Sequence, residues 1–248
     1  MKYLGLIGYP LGHSFSKKYY LDKFDKENIQ GIDYDLYPIS DIEKFPELYI
    51  SNPDFYGVNV TIPYKQDVIP YLDELSEEAK VIGAVNCIQI RRKDNGKPYL
   101  KGFNTDAYGF EQSLLPFLKP EHKKALILGN GGATKAVKYV LDNFRIPYQV
   151  VSRTKDAENI SYADLSDSII AQHQIIINCS PVGTYPNIDQ CPDIPYEGIG
   201  PAHLLYDLIY NPEETRFLQK GKAQGAAIKN GFEMLVLQAE KNWEVWNQ

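Results

Sequence analysis

An α/β fold in two domains follows from three features of the sequence. Strand-like and helix-like runs alternate through the first hundred residues. An apolar run opens into clustered glycines at Ala125-Leu126-Ile127-Leu128-Gly129-Asn130-Gly131-Gly132-Ala133-Thr134. Further strand signals, near Tyr148, Ile175, Leu204 and Ala226, then recur with helical stretches between them. The five strands of the second half, counted from Ala125, predict a doubly wound parallel sheet with its ligand crevice at the carboxyl ends of the strands.

The first half opens with a strand over Tyr3 to Tyr9, which Pro10 stops short of any membrane-spanning length. A helix from about Lys17 to Asn28, a strand from Ile32 to Tyr37 and a helix from about Ile42 to Tyr49 follow. Gly57 to Thr61 alternates in the manner of a strand and ends before Pro63, and an amphipathic acidic stretch runs from about Tyr71 to Val81. Gly83 to Ile90 and Tyr99 to Phe103 flank Asp94-Asn95-Gly96-Lys97, where the Asn-Gly pair predicts a hairpin because both residues tolerate positive φ.

A change of composition near Asn104 to Tyr108 marks the crossing into the second domain. Past the glycines, Ala136, Val137, Val140 and Leu141 share one side of a helix, and Pro147 to Val151 supplies the next strand of a βαβ unit. The last segment, Gly231 to Trp246, carries Leu235, Ala239 and Trp243 at helical spacing and is expected to pack back on the first domain. The expected division is therefore residues 1–103 with 231–248 as one domain and 104–230 as the other.

Composition narrows the function. With 44% hydrophobic residues in 248 the chain can bury a sizeable core, and a net charge of −6 without a basic run argues against a nucleic-acid or anionic-membrane partner. Cys87, Cys179 and Cys191 form no CxxC pair, so reduced thiols in the cytoplasm are expected. The four scattered histidines argue against structural zinc, and no metal is expected.

Candidate chemistry collects at strand ends. The glycine cluster suits either a tight turn or a helix N-terminus whose free N–H groups hold a pyrophosphate, and the βαβ context favours the second. That unit ends in Ser152-Arg153-Thr154, where a site for NAD would be expected to place an acid against the ribose. An arginine there suits a 2′-phosphate, which favours NADP. In the first domain, Ser14 and Ser16 follow the first strand, either aiming two hydroxyls one way or forming a turn with Ser16 as helix N-cap. Asn59 and Thr61 share a strand face, whether solvated or site-lining, and Lys65 follows four residues on. In Asn104-Thr105-Asp106, Thr105 or Asp106 is placed to serve equally as a helix N-cap.

Together these pieces resemble the shikimate dehydrogenases. The resemblance rests on Ser14-Phe15-Ser16, Asn59-Val60-Thr61-Ile62-Pro63-Tyr64-Lys65, Gly83-Ala84-Val85-Asn86, Asn104-Thr105-Asp106-Ala107-Tyr108-Gly109 and the glycine loop with Ser152-Arg153-Thr154. It continues through Asn178-Cys179-Ser180-Pro181-Val182-Gly183, Asp207-Leu208-Ile209-Tyr210-Asn211-Pro212 and the stretch from Asn230-Gly231-Phe232 to Gln238-Ala239. It implies an N-terminal α/β substrate domain, a Rossmann-like domain for NADP, and reversible NADPH-dependent reduction of 3-dehydroshikimate to shikimate on the way to aromatic amino acids.

By matching position, the resemblance gives Ser14 and Ser16 the substrate carboxylate. Asn59, Thr61, Asn86, Asp106 and Gln238 join them in holding the substrate, and Lys65, with Asp106 beside it, is the acid/base. Gly129, Asn130, Gly131, Gly132 and Ala133 would cradle the pyrophosphate, and Ser152, Arg153 and Thr154 the 2′-phosphate. Asn178, Ser180, Val182, Leu208, Tyr210, Gly231 and Met234 would lie near the ribose and nicotinamide, with Met234 equally suited to a plain core contact. The chain departs from the family pattern at Lys17, where proline is usual, and at Ser152, where asparagine is usual. A second arginine downstream is absent, with Lys155 in its neighbourhood. A quinate/shikimate dehydrogenase with relaxed cofactor choice and an NADP-binding protein without turnover stand as alternatives, and a monomer or a homodimer is expected.

Overall fold

The computed structural model describes residues 1–12 and 14–248; His13, which the sequence groups with Ser14 and Ser16, lies outside the described residues. Backbone contacts divide the chain into one unit of Met1–Thr105 with Gln238–Gln248 and another of Asp106–Leu237. Residues 104–105 thus fall with the first unit and 231–237 with the second, on the opposite side from the sequence expectation in each case.

The first unit is a six-stranded mixed sheet. Strand β1 (Lys2–Gly8) is flanked in parallel by β2 (Ile32–Pro38) and β3 (Phe55–Val60), and β3 pairs antiparallel with β5 (Cys87–Arg92). Strand β6 (Pro98–Phe103) closes the hairpin with β5, and the two-residue β4 (Glu74–Leu75) runs beside it. Gly96 takes the left-handed φ of 76° in the hairpin turn, whereas Asn95 keeps negative φ and its side-chain oxygen accepts from the Lys97 N–H at 3.0 Å. The turn therefore needs one permissive residue, not two.

Helices α1 (Phe15–Lys26), α2 (Phe45–Ile50) and α3 (Glu77–Ile82) connect these strands; a 3-10 turn at Ile42–Lys44 supplies the first part of the helix expected from Ile42. One core face gathers Ile7, Val58, Val60, Ile88 and Phe45, the other Leu4, Leu6, Tyr20, Tyr34 and Cys87. The second face is completed by Ala239, Val245 and Trp246 from the C-terminal helix. Gly57 makes room for this: a Cβ there would lie 2.5 Å from the Trp246 indole, whose Nε1 donates to the Ile88 carbonyl at 3.0 Å.

The second unit begins within helix α4 (Thr105–Leu114) and holds six parallel strands: β7 (Ala125–Leu128), β8 (Tyr148–Ser152), β9 (Asn159–Ser161), β10 (Ile175–Asn178), β11 (Leu204–Asp207) and β12 (Ala227–Lys229). Their order across the sheet is β12-β11-β10-β7-β8-β9. Counted within the unit this reads 3-2-1-4-5-6 from one edge, the doubly wound order whose crevice opens where β7 meets β10. Six strands replace the five expected, because β9 is an edge strand with one apolar residue, Ile160, and so gives no hydrophobic signal. Helices α5 (Gly132–Asn143), α6 (Asp167–Gln172) and α7 (Arg216–Ala223) serve the crossovers, and α8 (Phe232–Trp246) ends the chain. No helix of the described residues is long and apolar enough to cross a membrane.

Candidate functional site

In the first unit a buried polar chain runs behind the predicted substrate residues. Tyr34, fully buried on β2, donates its hydroxyl to Asn59 Oδ1 at 2.9 Å, and Asn59 Nδ2 donates to the Asn86 carbonyl at 3.2 Å. Asn59 is 5% exposed, which removes the solvated-strand reading for it. Ser16 lies within reach of the same Tyr34 hydroxyl, whose pKa burial pushes well up, so the phenol stays a neutral donor.

Ser14, not Ser16, is the N-cap of α1, and its side chain makes no capping bond. Ser16 lies inside the first turn; both serines are half-buried. Thr61 follows β3 directly, its N–H donating to the Ile7 carbonyl at 2.9 Å. Lys65 is half-buried on the turn that follows, pinned from both sides: Tyr64 anchors in the core with its hydroxyl on the Ile39 carbonyl at 2.8 Å, and the Val85 N–H donates to the Lys65 carbonyl at 2.7 Å. A lysine on a fixed backbone can hold its side-chain nitrogen at a set place beside a bound oxygen.

Asn86 is 3% exposed at the head of β5. Its Oδ1 accepts from the Thr105 N–H at 2.7 Å, and its Nδ2 faces Thr105 Oγ1 at 2.9 Å and Gln238 Oε1 at 3.0 Å. Two residues of the predicted substrate set, Asn86 and Gln238, are thereby brought into direct contact. Neither Thr105 nor Asp106 is an N-cap: α4 begins at Thr105, so both lie in its first turn, and Asp106 is buried at 8% exposure.

In the second unit the glycines divide by cause. Gly129 has φ of 104°, and a Cβ there would lie 3.1 Å from the Ser180 nitrogen, so the end of β7 meets the loop after β10 backbone to backbone. Gly131 and Gly132 are exposed, have no positive φ, and a Cβ at either would meet nothing within 4 Å. Nothing in the chain itself calls for glycine at these two positions. They open α5, whose N-cap is Gly131 and which carries no side-chain cap; Thr134 ties the loop by accepting from the Gly131 N–H and donating to the Gly129 carbonyl at 3.0 Å. Asn130 is exposed beside them and Ala133 half-buried.

Arg153 and Thr154 are exposed past the end of β8, and Ser152 donates its hydroxyl to the Thr154 carbonyl. Asn178 is fully buried: Nδ2 donates to Asp207 Oδ1 at 3.0 Å, and Oδ1 accepts from the Ser180 N–H and hydroxyl. Its amide shapes the loop that carries Ser180 and Val182, so it is the loop that presents groups to the crevice. Gly231 packs against the Leu208 backbone so closely that any Cβ would strike it, which accounts for glycine there on packing alone. Met234 is buried at 8% exposure, whereas Tyr210 is exposed.

Two participants escape a residue-by-residue reading of the sequence. Tyr34 gives only a strand signal, and its partner Asn59 is 25 residues away. Asp207 carries a fully buried carboxyl that accepts from Asn178 Nδ2, the Ile209 N–H at 3.0 Å and Thr215 Oγ1 at 2.6 Å; burial pushes its pKa up to about 6 against the pull of those bonds. A buried acid closing an apolar strand, Leu204-Leu205-Tyr206-Asp207, is the signal that could have found it. No group of three or more His, Cys, Asp or Glu side chains able to hold a metal occurs among the described residues.

Comparison with known proteins places this architecture. The model of the shikimate dehydrogenase substrate binding domain matches residues 6–88. A shikimate dehydrogenase (NADP(+)) of Clostridium beijerinckii is 41% identical over 263 residues, spanning all of this chain and 93% of the relative. One of Carboxydothermus hydrogenoformans is 37% identical across 99% of this chain and 91% of its own length. Among solved structures, a chorismate mutase/shikimate 5-dehydrogenase fusion protein from Clostridium acetobutylicum superposes with a TM-score of 0.83 at 37% identity, covering 99% of this chain and 91% of that one. A shikimate 5-dehydrogenase from Thermus thermophilus, in complex with NADP(H) and shikimate, gives a TM-score of 0.84 at 29% identity over 99% of this chain and 93% of its own. Matched along its whole length at these identities, the chain belongs to the shikimate dehydrogenase family.

Proposed function

We propose that the chain catalyses the reversible, NADP-dependent interconversion of 3-dehydroshikimate and shikimate in aromatic amino acid biosynthesis. The observation that carries this reading is the full-length identity to shikimate dehydrogenases (NADP(+)). The second unit fits the cofactor: Gly131 and Gly132, with open space where side chains would project, leave the uncapped start of α5 accessible to a pyrophosphate. Gly129 to Ala133 would hold that group, Arg153 with Ser152 and Thr154 would meet the 2′-phosphate, and the loops at Ser180–Val182 and Leu208–Tyr210 would flank the ribose and nicotinamide.

Bound NADP exchanges a hydride with the carbon that bears the reacting oxygen. The protein must manage the matching proton, and we assign it to Lys65: its ammonium donates to the oxygen as the ketone is reduced, and the amine takes that proton back in the other direction. Asp106 assists in holding this oxygen. Ser14 and Ser16 receive the substrate carboxylate, and Asn59, Thr61, Asn86 and Gln238 form the wall that orders the ring hydroxyls. Ser14 brings a hydroxyl not spent on capping, and Asn86 and Gln238 bring a donor and an acceptor already facing one another. The substrate is a small molecule and needs no nucleic-acid or membrane partner. The three free thiols suit a reducing compartment, so we place the reaction in the cytoplasm, carried out by a monomer or a homodimer.

The test is absorbance at the reduced-nicotinamide band with purified protein, shikimate and NADP, beside the same assay with NAD and with quinate. Shikimate-dependent NADP reduction is expected, lost in Lys65→Ala while shikimate binding is kept. Near-native turnover in that variant would remove Lys65 from the proton step, and preference for quinate with NAD would redirect the substrate assignment.

A further inference from the structure

We infer that Thr105 and Asn242 are positioning residues for substrate recognition: together they set the Asn86 amide and hold Gln238 opposite it, so that one ring hydroxyl of the substrate can bridge the two side chains. This rests on the function proposed above for its ligand, but its structural content stands on bonds within the first unit.

The two ends of an Asn side chain are alike in shape, so its orientation has to be set by its neighbours. A backbone N–H can only donate, and the Thr105 N–H lies 2.7 Å from one end of the Asn86 amide; that end must be the oxygen. Nδ2 is thereby turned toward Thr105 Oγ1 and Gln238 Oε1, at 2.9 and 3.0 Å. The Thr105 hydroxyl has one hydrogen, and its shortest contact, 2.6 Å to Asn242 Oδ1, takes it. This leaves the hydroxyl's lone pairs to receive the Asn86 Nδ2 hydrogen; Asn86 Oδ1, also 3.1 Å from the hydroxyl, is served at the shorter distance by the Thr105 N–H.

Asn242 lies four residues beyond Gln238 on α8, on the same helix face. The Thr105–Asn242 bond therefore fixes the stretch of helix from which Gln238 reaches Asn86. Thr105 and Asn242 are buried at 3% and 1% exposure, with the Thr105 hydroxyl and the Asn242 amide oxygen engaged with one another. A hydroxyl that donates to Gln238 Oε1 and accepts from Asn86 Nδ2 would replace their mutual bond when it parts them, whereas a ring position without one breaks that bond and returns nothing for it. Buried polar groups deprived of partners are what make such sites selective.

Thr105→Val tests this. It keeps the backbone N–H and the side-chain shape but puts a methyl where Asn242 Oδ1 and Asn86 Nδ2 lie at hydrogen-bond distance, and both must retreat. In a crystal structure of the variant, Asn86 Nδ2 and Gln238 Oε1 are expected to separate beyond about 3.5 Å, outside hydrogen-bond reach. In kinetics, KM for shikimate is expected to rise about tenfold while kcat and KM for NADP stay within about twofold, and the preference for shikimate over a deoxy analogue is expected to shrink. Thr105→Ser, which restores the hydroxyl, is expected to recover both readouts, and Asn242→Ala to reproduce the loss from the other side of the bond should the valine variant not fold. Retention of the Asn86–Gln238 contact in Thr105→Val, or in Asn242→Ala if that is the variant that folds, would overturn the inference, whatever the substrate. So would a kcat loss with KM unchanged. Failure of the wild type to turn over shikimate would instead overturn the proposed function and leave the crystallographic arm to decide the positioning.

Discussion

Replacing Asp207 by asparagine should change how stability depends on pH, and the structure gives the size of the effect. The carboxyl is fully buried between Asn178, Ile209 and Thr215, and its pKa is raised from 3.8 to about 6 with burial as the largest cause. A folded state that holds a proton more tightly than the unfolded chain is stabilised where the proton is bound. The stabilisation is fully present below pH 3.8 and is lost as pH rises through 6. Across that whole range the difference amounts to about 3 kcal/mol, of which about 1.4 kcal/mol is recovered between pH 8 and pH 5. Asparagine keeps the shape and the oxygen that accepts from Asn178 and Ile209, and its Nδ2 can donate to Thr215 Oγ1, whose role as donor simply reverses. Urea unfolding followed by far-UV circular dichroism at several pH values should therefore show the wild type gaining on Asp207→Asn by about 1.4 kcal/mol on going from pH 8 to pH 5. Parallel pH profiles would refute the reasoning, since they would mean that the buried carboxyl does not titrate in this interval.

Gly132→Ala separates ligand from fold. Its Cβ meets no protein atom within 4 Å and alanine is the better helix former, so the melting temperature should hold or rise while the Kd for NADP rises at least tenfold by titration calorimetry. Gly57→Ala is the opposite case: a methyl 2.5 Å from the Trp246 ring should cost about 1–3 kcal/mol of stability, read from the shift of the tryptophan fluorescence transition. Arg153→Ala should weaken NADP binding with little change for NAD, and an equal loss for both cofactors would contradict a 2′-phosphate role.

What the sequence reveals and what it hides have physical reasons. Ala125–Leu128 and the run from Ile175 to Ile177 are legible because strands covered on both faces must be continuously apolar, and every one of these residues is buried. The edge strands β2 and β12 are still read from sequence, whereas β9, three residues with one apolar side chain, and the two-residue β4 are too short and too polar to leave a mark. The glycines from Gly129 to Gly132 are legible as a cluster, yet only the structure separates Gly129, forced by its φ and by Ser180, from Gly131 and Gly132, which the fold does not need. Capping roles at α1 and α4 are off by a residue or two when read from sequence, because Ser14 and Ser16, or Thr105 and Asp106, are chemically equivalent caps until the helix start is known. Least legible are the polar contacts of the site. Asn86 meets Gln238 across 152 residues and Thr105 meets Asn242 across 137, and no local pattern encodes such pairs.

The return of the chain into its first unit has a consequence for synthesis. The Gly57 niche and the Ile88 carbonyl wait for Trp246, so the first hundred residues leave the ribosome with one core face unsealed while the contiguous second unit can already mature. At about 5–20 residues per second, that face stays open for roughly seven to thirty seconds in every round of translation. Synonymous codons that slow the stretch between the two parts of the first unit would lengthen that exposure without altering a single residue.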